Sequence, residues 1–183
     1  MKLPIYAYGH PILKRVAAPV SENSEELQTL IENMWETMYH ASGVGLAAPQ
    51  VGHSIRVFVV DTEQVKLEEG LEKGIKKVFI NPEKIEETGT EYAYEEGCLS
   101  IPDIRADVNR KEKIKLTYLD ENFEEHTEIF EGTNARVIQH EYDHLEGVLF
   151  IEKINPLKRN MLRRKLNKIL KGNVKVEYDM QFK

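Results

Sequence analysis

The segment Gln139-His140-Glu141-Tyr142-Asp143-His144 constrains this chain more than any other. Two histidines four residues apart stand about 40° apart around a helix axis, so both imidazoles can reach one metal ion. Glu141 projects from the same turn and would place a carboxylate beside the open coordination position of such an ion. That arrangement turns a bound water into a nucleophile near neutral pH. The flanking residues predict a helix from Gly132 to Gly147. Ala135, Ile138, Tyr142 and Leu145 recur at helical spacing, Thr133 suits the start, and Gly147 suits the stop. Because His140 and Glu141 flank this apolar stripe, the site is expected to face inward.

A catalytic metal site takes three protein ligands and keeps a fourth position for water. Downstream of the histidine pair, the candidates for the third ligand are Glu146, Glu152, Glu177 and Asp179. Upstream the candidate is Cys98, in Glu96-Gly97-Cys98-Leu99-Ser100. Cys98 is the single cysteine among 183 residues, so it has no intrachain disulfide partner. Its thiolate would be a soft, tightly held ligand. A lone cysteine is also often a small buried apolar residue. The histidine pair alone is equally compatible with a metallopeptidase that cleaves internal peptide bonds.

Three stretches taken together go further. Gly43-Val44-Gly45-Leu46-Ala47-Ala48-Pro49-Gln50, then Glu96 to Ser100, then Gln139 to His144 resemble, in order and in spacing, the three motifs of the peptide deformylases. The resemblance extends from Leu3-Pro4-Ile5 into the helix after Pro156. It implies a metal-dependent hydrolase that removes the formyl group from the N-terminal formyl-methionine of newly made polypeptides and releases formate. Cys98, His140 and His144 match the family's metal ligands, and Glu141 matches its general base. Gln50 and the amide of Leu99 match the donors that face the oxyanion. Losing one such donor typically costs about a hundredfold to a thousandfold in rate.

The resemblance also implies a pocket for the methionine side chain, with Val44, Gly45, Arg136 and Val137 at the matching positions around it. Arg136 would contribute its alkyl stem. The glycines at 43 and 45 would let a peptide backbone approach closely and lie alongside as an added strand. Two imidazoles and one thiolate suit zinc on chemical grounds. Family membership would instead imply one divalent ion that is iron(II) in the cell, with nickel or cobalt as substitutes. Asp143 either orients a ligand histidine or faces solvent one turn from the site. His10, His40, His53 and His126 lack a partner pattern and read as surface or hydrogen-bonded residues.

The fold class is expected to be α+β: one domain over residues 1–183, with antiparallel and mixed strands packed around the central motif helix, followed by a C-terminal helix and a terminal strand. The chain is 41% hydrophobic, enough for a proper core, and no linker splits it. An early helix from Ser24 to His40 carries Leu27, Leu30, Ile31, Met34, Trp35 and Met38 on one face, with Asn23 and Glu26 suited to cap it. Strands are expected at Arg56 to Val60 and Val78 to Asn81. A hairpin follows, with Lys113 to Leu119 and His126 to Phe130 flanking the Asp120-Glu121-Asn122 turn. Glu63 to Lys77 reads as a mobile charged loop.

Asn155-Pro156 starts a helix and Gly172 stops it, with Leu157, Met161, Leu162, Leu166, Ile169 and Leu170 as its apolar side. Its basic residues, in the range 156–171, form a solvated face or a surface that docks on ribosomal RNA. Val174 to Phe182 alternates as a half-buried strand would. The net charge of −6 argues against wholesale nucleic-acid binding, and no sequence-specific nucleic-acid partner is expected. No apolar run spans a membrane, and a thiolate without a disulfide partner fits a cytoplasmic location.

Overall fold

The computed structural model describes residues 1–65 and 73–183. In chain order the elements are β1 (Ile5–Tyr6), α1 (Glu25–His40), β2 (Gly45–Ala47), β3 (Val57–Asp61), β4 (Lys76–Cys98), β5 (Ile101–Leu119), β6 (Glu125–Glu131), α2 (Gly132–Leu145), α3 (Pro156–Met161), α4 (Arg163–Leu170) and β7 (Met180–Gln181). Strands β2 to β6 form one antiparallel sheet in sequence order. β1 pairs in parallel with β7. The architecture is α+β, as expected.

Helix α1 covers one face of the sheet and α2 the other. The stripe Leu27, Leu30, Ile31, Met34 and Met38 meets Val57, Val59, Val78 and Ile80, while Ala135, Ile138 and Leu145 of α2 meet Phe58, Val60, Phe79 and Leu116. Alternate residues of β3 therefore face opposite layers, and the strand is buried along its whole length. That double burial is why Val57-Phe58-Val59-Val60 reads as a continuous apolar run. The cap of α1 differs from expectation. Ser24 accepts from Leu27 N at 3.1 Å, and Asn23 instead accepts from the Gln28 side chain.

The sheet departs from expectation most in β4 and β5, which run 23 and 19 residues as one long hairpin. Residues 82–93 on β4 are charged and largely exposed, so no buried face imposes the two-residue period that marks a strand. Register shifts at Ile80/Glu83, Lys84/Glu86 and Thr88/Glu91 blur the period further and admit Pro82 at the first of them. The following hairpin is where it was expected. Asp120 Oδ1 accepts from Asn122 N at 2.9 Å and Glu124 N at 3.0 Å, closing the turn between β5 and β6. Of the expected loop from Glu63 to Lys77, residues 66–72 lie outside the described residues, and Lys76 and Lys77 already belong to β4.

Helix α2 begins after the N-cap Glu131, so Thr133 lies inside its first turn instead of capping it. It ends before Gly147, whose φ of 71° is left-handed. A Cβ at Gly147 would stand 2.6 Å from the Lys14 carbonyl oxygen, so glycine is required twice over at this stop. The helix expected from Pro156 to Gly172 is broken at Leu162 into α3 and α4. Leu162, Leu166 and Ile169 pack into the core with Ile101, Ile104 and Val108, whereas Leu157, Met161 and Leu170 are exposed. Of the expected final strand only Met180 and Gln181 pair, although exposure alternates strictly from Asn173 to Lys183.

Candidate active site

Three pieces of chain converge on the inner side of α2. The helix supplies His140, Glu141 and His144, the connection from β4 to β5 supplies Cys98, Leu99 and Ser100, and a 3-10 turn after β2 supplies Gln50. One donor atom from each of Cys98, His140 and His144 lies within 4.8 Å of the others. Cys98 Sγ is 3.4 Å from His144 Nε2. The downstream candidates for a third ligand are elsewhere: Glu146 pairs with Arg56 and Glu152 with Lys14, while Glu177 and Asp179 are exposed. Among the described residues one other donor group gathers, Asp120, Glu124 and His126. There Asp120 is consumed by its own turn and by His126 at 2.7 Å.

His140 is held from behind. Its Nδ1 is 2.9 Å from Glu96 Oε1, which leaves Nε2 for the site. Arg110 donates to both Glu96 oxygens, at 2.7 and 3.0 Å, and also to Asp143 at 2.8 Å. Arg136 adds a bond to Glu96 Oε2 at 2.8 Å and bonds to the carbonyls of Val108 and Tyr92. Asp143 thus acts at one remove, through Arg110 and Glu96, and does not touch a histidine ring. Arg136 borders the cleft as expected, but its guanidinium is turned into this buried ion network. Sequence reading assigned no role to Glu96 or Arg110. The signal was present in phase: Arg110 continues the inward positions Ile104, Ala106 and Val108 of β5, where an arginine demands a buried acid.

Burial alone would raise the Glu96 carboxyl, but the hydrogen bonds from His140 and Arg110 outweigh it and hold the group at about 2. Burial pushes Glu141 up to about 7, before the charge of any cation is added. The same burial would lower His140, yet its bonds to Cys98 and Glu96 leave it well above the usual imidazole value. His144 is pushed down by burial and by the His140 charge.

A divalent cation fits this set. The donors are one sulfur and two imidazole nitrogens in tetrahedral reach, the second ring nitrogen of His140 is fixed, and Glu141 Oε2 has no hydrogen-bond partner among the described residues although it is buried. Such an orphaned carboxylate oxygen is costly unless a charge or a proton donor meets it.

These groups open on a cleft of about 760 Å³ whose lining includes Val44, Gly45, Gln50, Leu99, Arg136 and Val137. Gln50 is oriented by Ala47 N, which donates to its Oε1 at 3.0 Å. Its Nε2 therefore faces Cys98 Sγ at 3.4 Å and Ser100 Oγ at 3.2 Å. Gly45 is needed by the protein itself: a Cβ there would stand 2.6 Å from Glu141 Oε1. The cleft also includes Lys175 to Tyr178, of which the sequence offered only Glu177 a role at the site, as a third ligand.

The chain's similarities point the same way. The family model described as polypeptide deformylase matches residues 2–160. A peptide deformylase of Christiangramia forsetii is 51% identical over 189 residues, covering 100% of this chain and 96% of the relative. That of Cytophaga hutchinsonii is 48% identical over 182 residues, covering 100% and 98%. The crystal structure of a peptide deformylase from Legionella pneumophila superposes with a TM-score of 0.82 at 42% identity, over 92% of this chain and 95% of that one. The Thermotoga maritima peptide deformylase superposes with a TM-score of 0.76 at 44% identity, over 85% and 99%. With sequence and backbone agreeing over nearly the full length, this chain belongs to the polypeptide deformylase family.

Proposed function

We propose that residues 1–183 form one catalytic domain that hydrolyses the N-formyl group of nascent formyl-methionyl chains. Cys98, His140 and His144 hold a divalent cation, and Glu141 is the general base. Family membership carries the activity: peptide deformylases are metal-dependent hydrolases of formylated nascent peptides. The residue roles rest on three donor atoms within 4.8 Å of one another beside a buried carboxylate oxygen that lacks a partner.

When bound, the cation supplies Lewis acidity, drawing the pKa of a water toward about 7 and polarising the formyl carbonyl. Glu141 takes a proton from the attacking water as its oxygen bonds to the formyl carbon. The charge that develops on the carbonyl oxygen is met by Gln50 Nε2 and the Leu99 N–H, both fixed before reaction. Glu141 then returns the proton to the departing amine as the C–N bond breaks, leaving formate and a free N-terminal methionine. β2 is the first strand of the sheet, so its outer edge is where the substrate backbone adds as a further strand. Val44, Gly45, Arg136 and Val137 border the pocket for the methionine side chain.

The cation is iron(II) in the cell by family resemblance, and the same donors accept zinc, nickel or cobalt. A cytoplasmic site of action follows from a nascent-chain substrate and a free thiolate. No helix among the described residues is long and apolar enough to cross a membrane. The exposed bases of α3 and α4, beside exposed Leu157 and Met161, are the surface for ribosome docking. Replacing Arg163 and Arg164 by Glu should weaken ribosome binding and flatten its salt dependence; unchanged binding removes that role.

The activity is tested by formate release from a formyl-methionyl tripeptide with anaerobically prepared, iron-loaded protein. Glu141→Gln should lower kcat by roughly 10²- to 10⁴-fold while retaining the cation. Absence of release by the wild type overturns the proposal.

A further inference from the structure

Part of the cleft is lined by residues 175–178, in the segment that follows α4 and lies beyond the residues 2–160 matched by the family model. This segment is tied down at its far end. Ile5 N donates to Asp179 O at 2.8 Å and Ala7 N to Gln181 O at 2.9 Å, while Val174, Met180 and Phe182 pack against the core. Its alternating exposure puts Tyr178 on the inner side, half-buried. The Tyr178 hydroxyl donates to the Leu99 carbonyl at 2.7 Å.

Leu99 and Ser100 form a two-residue connection between the paired residues Cys98 and Ile101. Two-residue hairpin loops favour positive φ, supplied by Gly or Asn, because other turns splay the strands. Neither Leu99 nor Ser100 has a positive φ. The adjoining ladder gives little help, since register jumps from Gly97↔Arg105 to Cys98↔Ile101. Tertiary bonds therefore set the shape of this turn: Tyr178 on the Leu99 carbonyl, Tyr8 N on the Ser100 carbonyl at 2.8 Å, and Gln50 on the Ser100 hydroxyl at 3.2 Å.

We propose that Tyr178 is a positioning residue for deformylation, its hydroxyl fixing the Leu99 backbone so that the Leu99 N–H stays aimed at the developing oxyanion. This rests on the deformylase reading and on Leu99 as an oxyanion donor. The Leu99 carbonyl and the Leu99 N–H leave the same Cα, so a bond that holds the carbonyl restrains the backbone on which the N–H is mounted.

The test is Tyr178→Phe in the full chain, loaded with the same cation as the wild type. Five quantities are read: kcat and KM on a formyl-methionyl tripeptide, cation content, thermal midpoint, and hydrogen exchange of the Leu99 amide. The expected result is a kcat lower by about tenfold, the scale of one neutral hydrogen bond, with KM and cation content unchanged and Leu99 exchange faster. An unchanged kcat overturns the proposal, as does unchanged Leu99 exchange. A loss of kcat that tracks lost cation or a collapsed midpoint also overturns it, by making the role structural. The deformylase reading is judged separately, by wild-type formate release and its loss in Glu141→Gln.

Discussion

Gly45 shows how tightly single atoms govern this site. Its missing side chain leaves the space in which the Glu141 carboxylate stands, since an added Cβ would come within 2.6 Å of Oε1. Gly45→Ala should therefore displace the base by a fraction of an ångström while leaving Cys98, His140 and His144 in place. A misplacement of about 1 Å costs roughly a hundredfold in rate, so this smaller one costs roughly tenfold. The expected outcome is a kcat lower by about that factor with full cation content, measured by steady-state kinetics beside metal analysis. Glu96 carries the second residue-scale prediction. Its carboxyl sits at about 2 in the folded chain against an ordinary 4.5, so its contribution to stability is fully present above about pH 4.5 and is lost as pH falls toward 2. Glu96→Gln leaves Arg110 and Arg136 without their buried anion and should cost about 3–5 kcal/mol at pH 7. The gap between variant and wild type in urea-unfolding free energy should narrow toward pH 2.

At the scale of elements, the stop of α2 is the most exacting feature. Gly147→Ala would meet both a left-handed φ and the Lys14 carbonyl, so a loss of more than about 1 kcal/mol is expected in denaturant unfolding. The helix itself was legible because its apolar positions keep one period and glycines bracket it. α1 was equally plain, missing only that Ser24 caps it in place of Asn23 and Glu26. The β4 arm of the β4–β5 hairpin was not, because residues 83–95 are exposed almost throughout and leave hydrophobic alternation nothing to record, while the alternation of β5 at Ile104, Ala106 and Val108 is cut short by a buried charge at Arg110. The break at Leu162 had a trace in phase. On one straight helix Leu157 and Met161 would stand roughly 120° from Leu162, Leu166 and Ile169, so a single stripe serves only one set. Of the candidate site, Gln50, Cys98, His140, Glu141 and His144 were readable in the three motifs, whereas the parts played by Glu96 and Tyr178 were not and Arg110 left only its inward phase on β5. These residues act through partners remote in sequence, and no local pattern names the partner.

For the whole molecule, the proposed cation and the fold should be thermodynamically linked. The site gathers a thiol, two imidazoles and a carboxylic acid in the interior, and two of these side chains keep a polar atom without a partner among the described residues. A cation that binds only the folded chain adds stability with concentration, about 4 kcal/mol at a thousandfold excess over its dissociation constant. Chelator treatment should lower the thermal midpoint, and re-addition of iron(II), nickel or zinc should restore it. A midpoint indifferent to chelation would separate the three donors from any cation.

The sheet that joins Gln50, Cys98 and α2 also governs when the enzyme becomes an enzyme. These parts are drawn from stretches dozens of residues apart, and only the closing of β2 through β6 brings them together. Pairings of such separation are the slow step in forming a chain's native contacts. Helical signal should return early on refolding, from α1 and α2, whereas turnover returns late and in one step. A ribosome that has released only the first hundred residues of this chain has delivered Gln50 and Cys98 but not α2, which carries the facing His140, Glu141 and His144. Catalysis should thus be the property that this protein acquires last, after the whole sheet has closed.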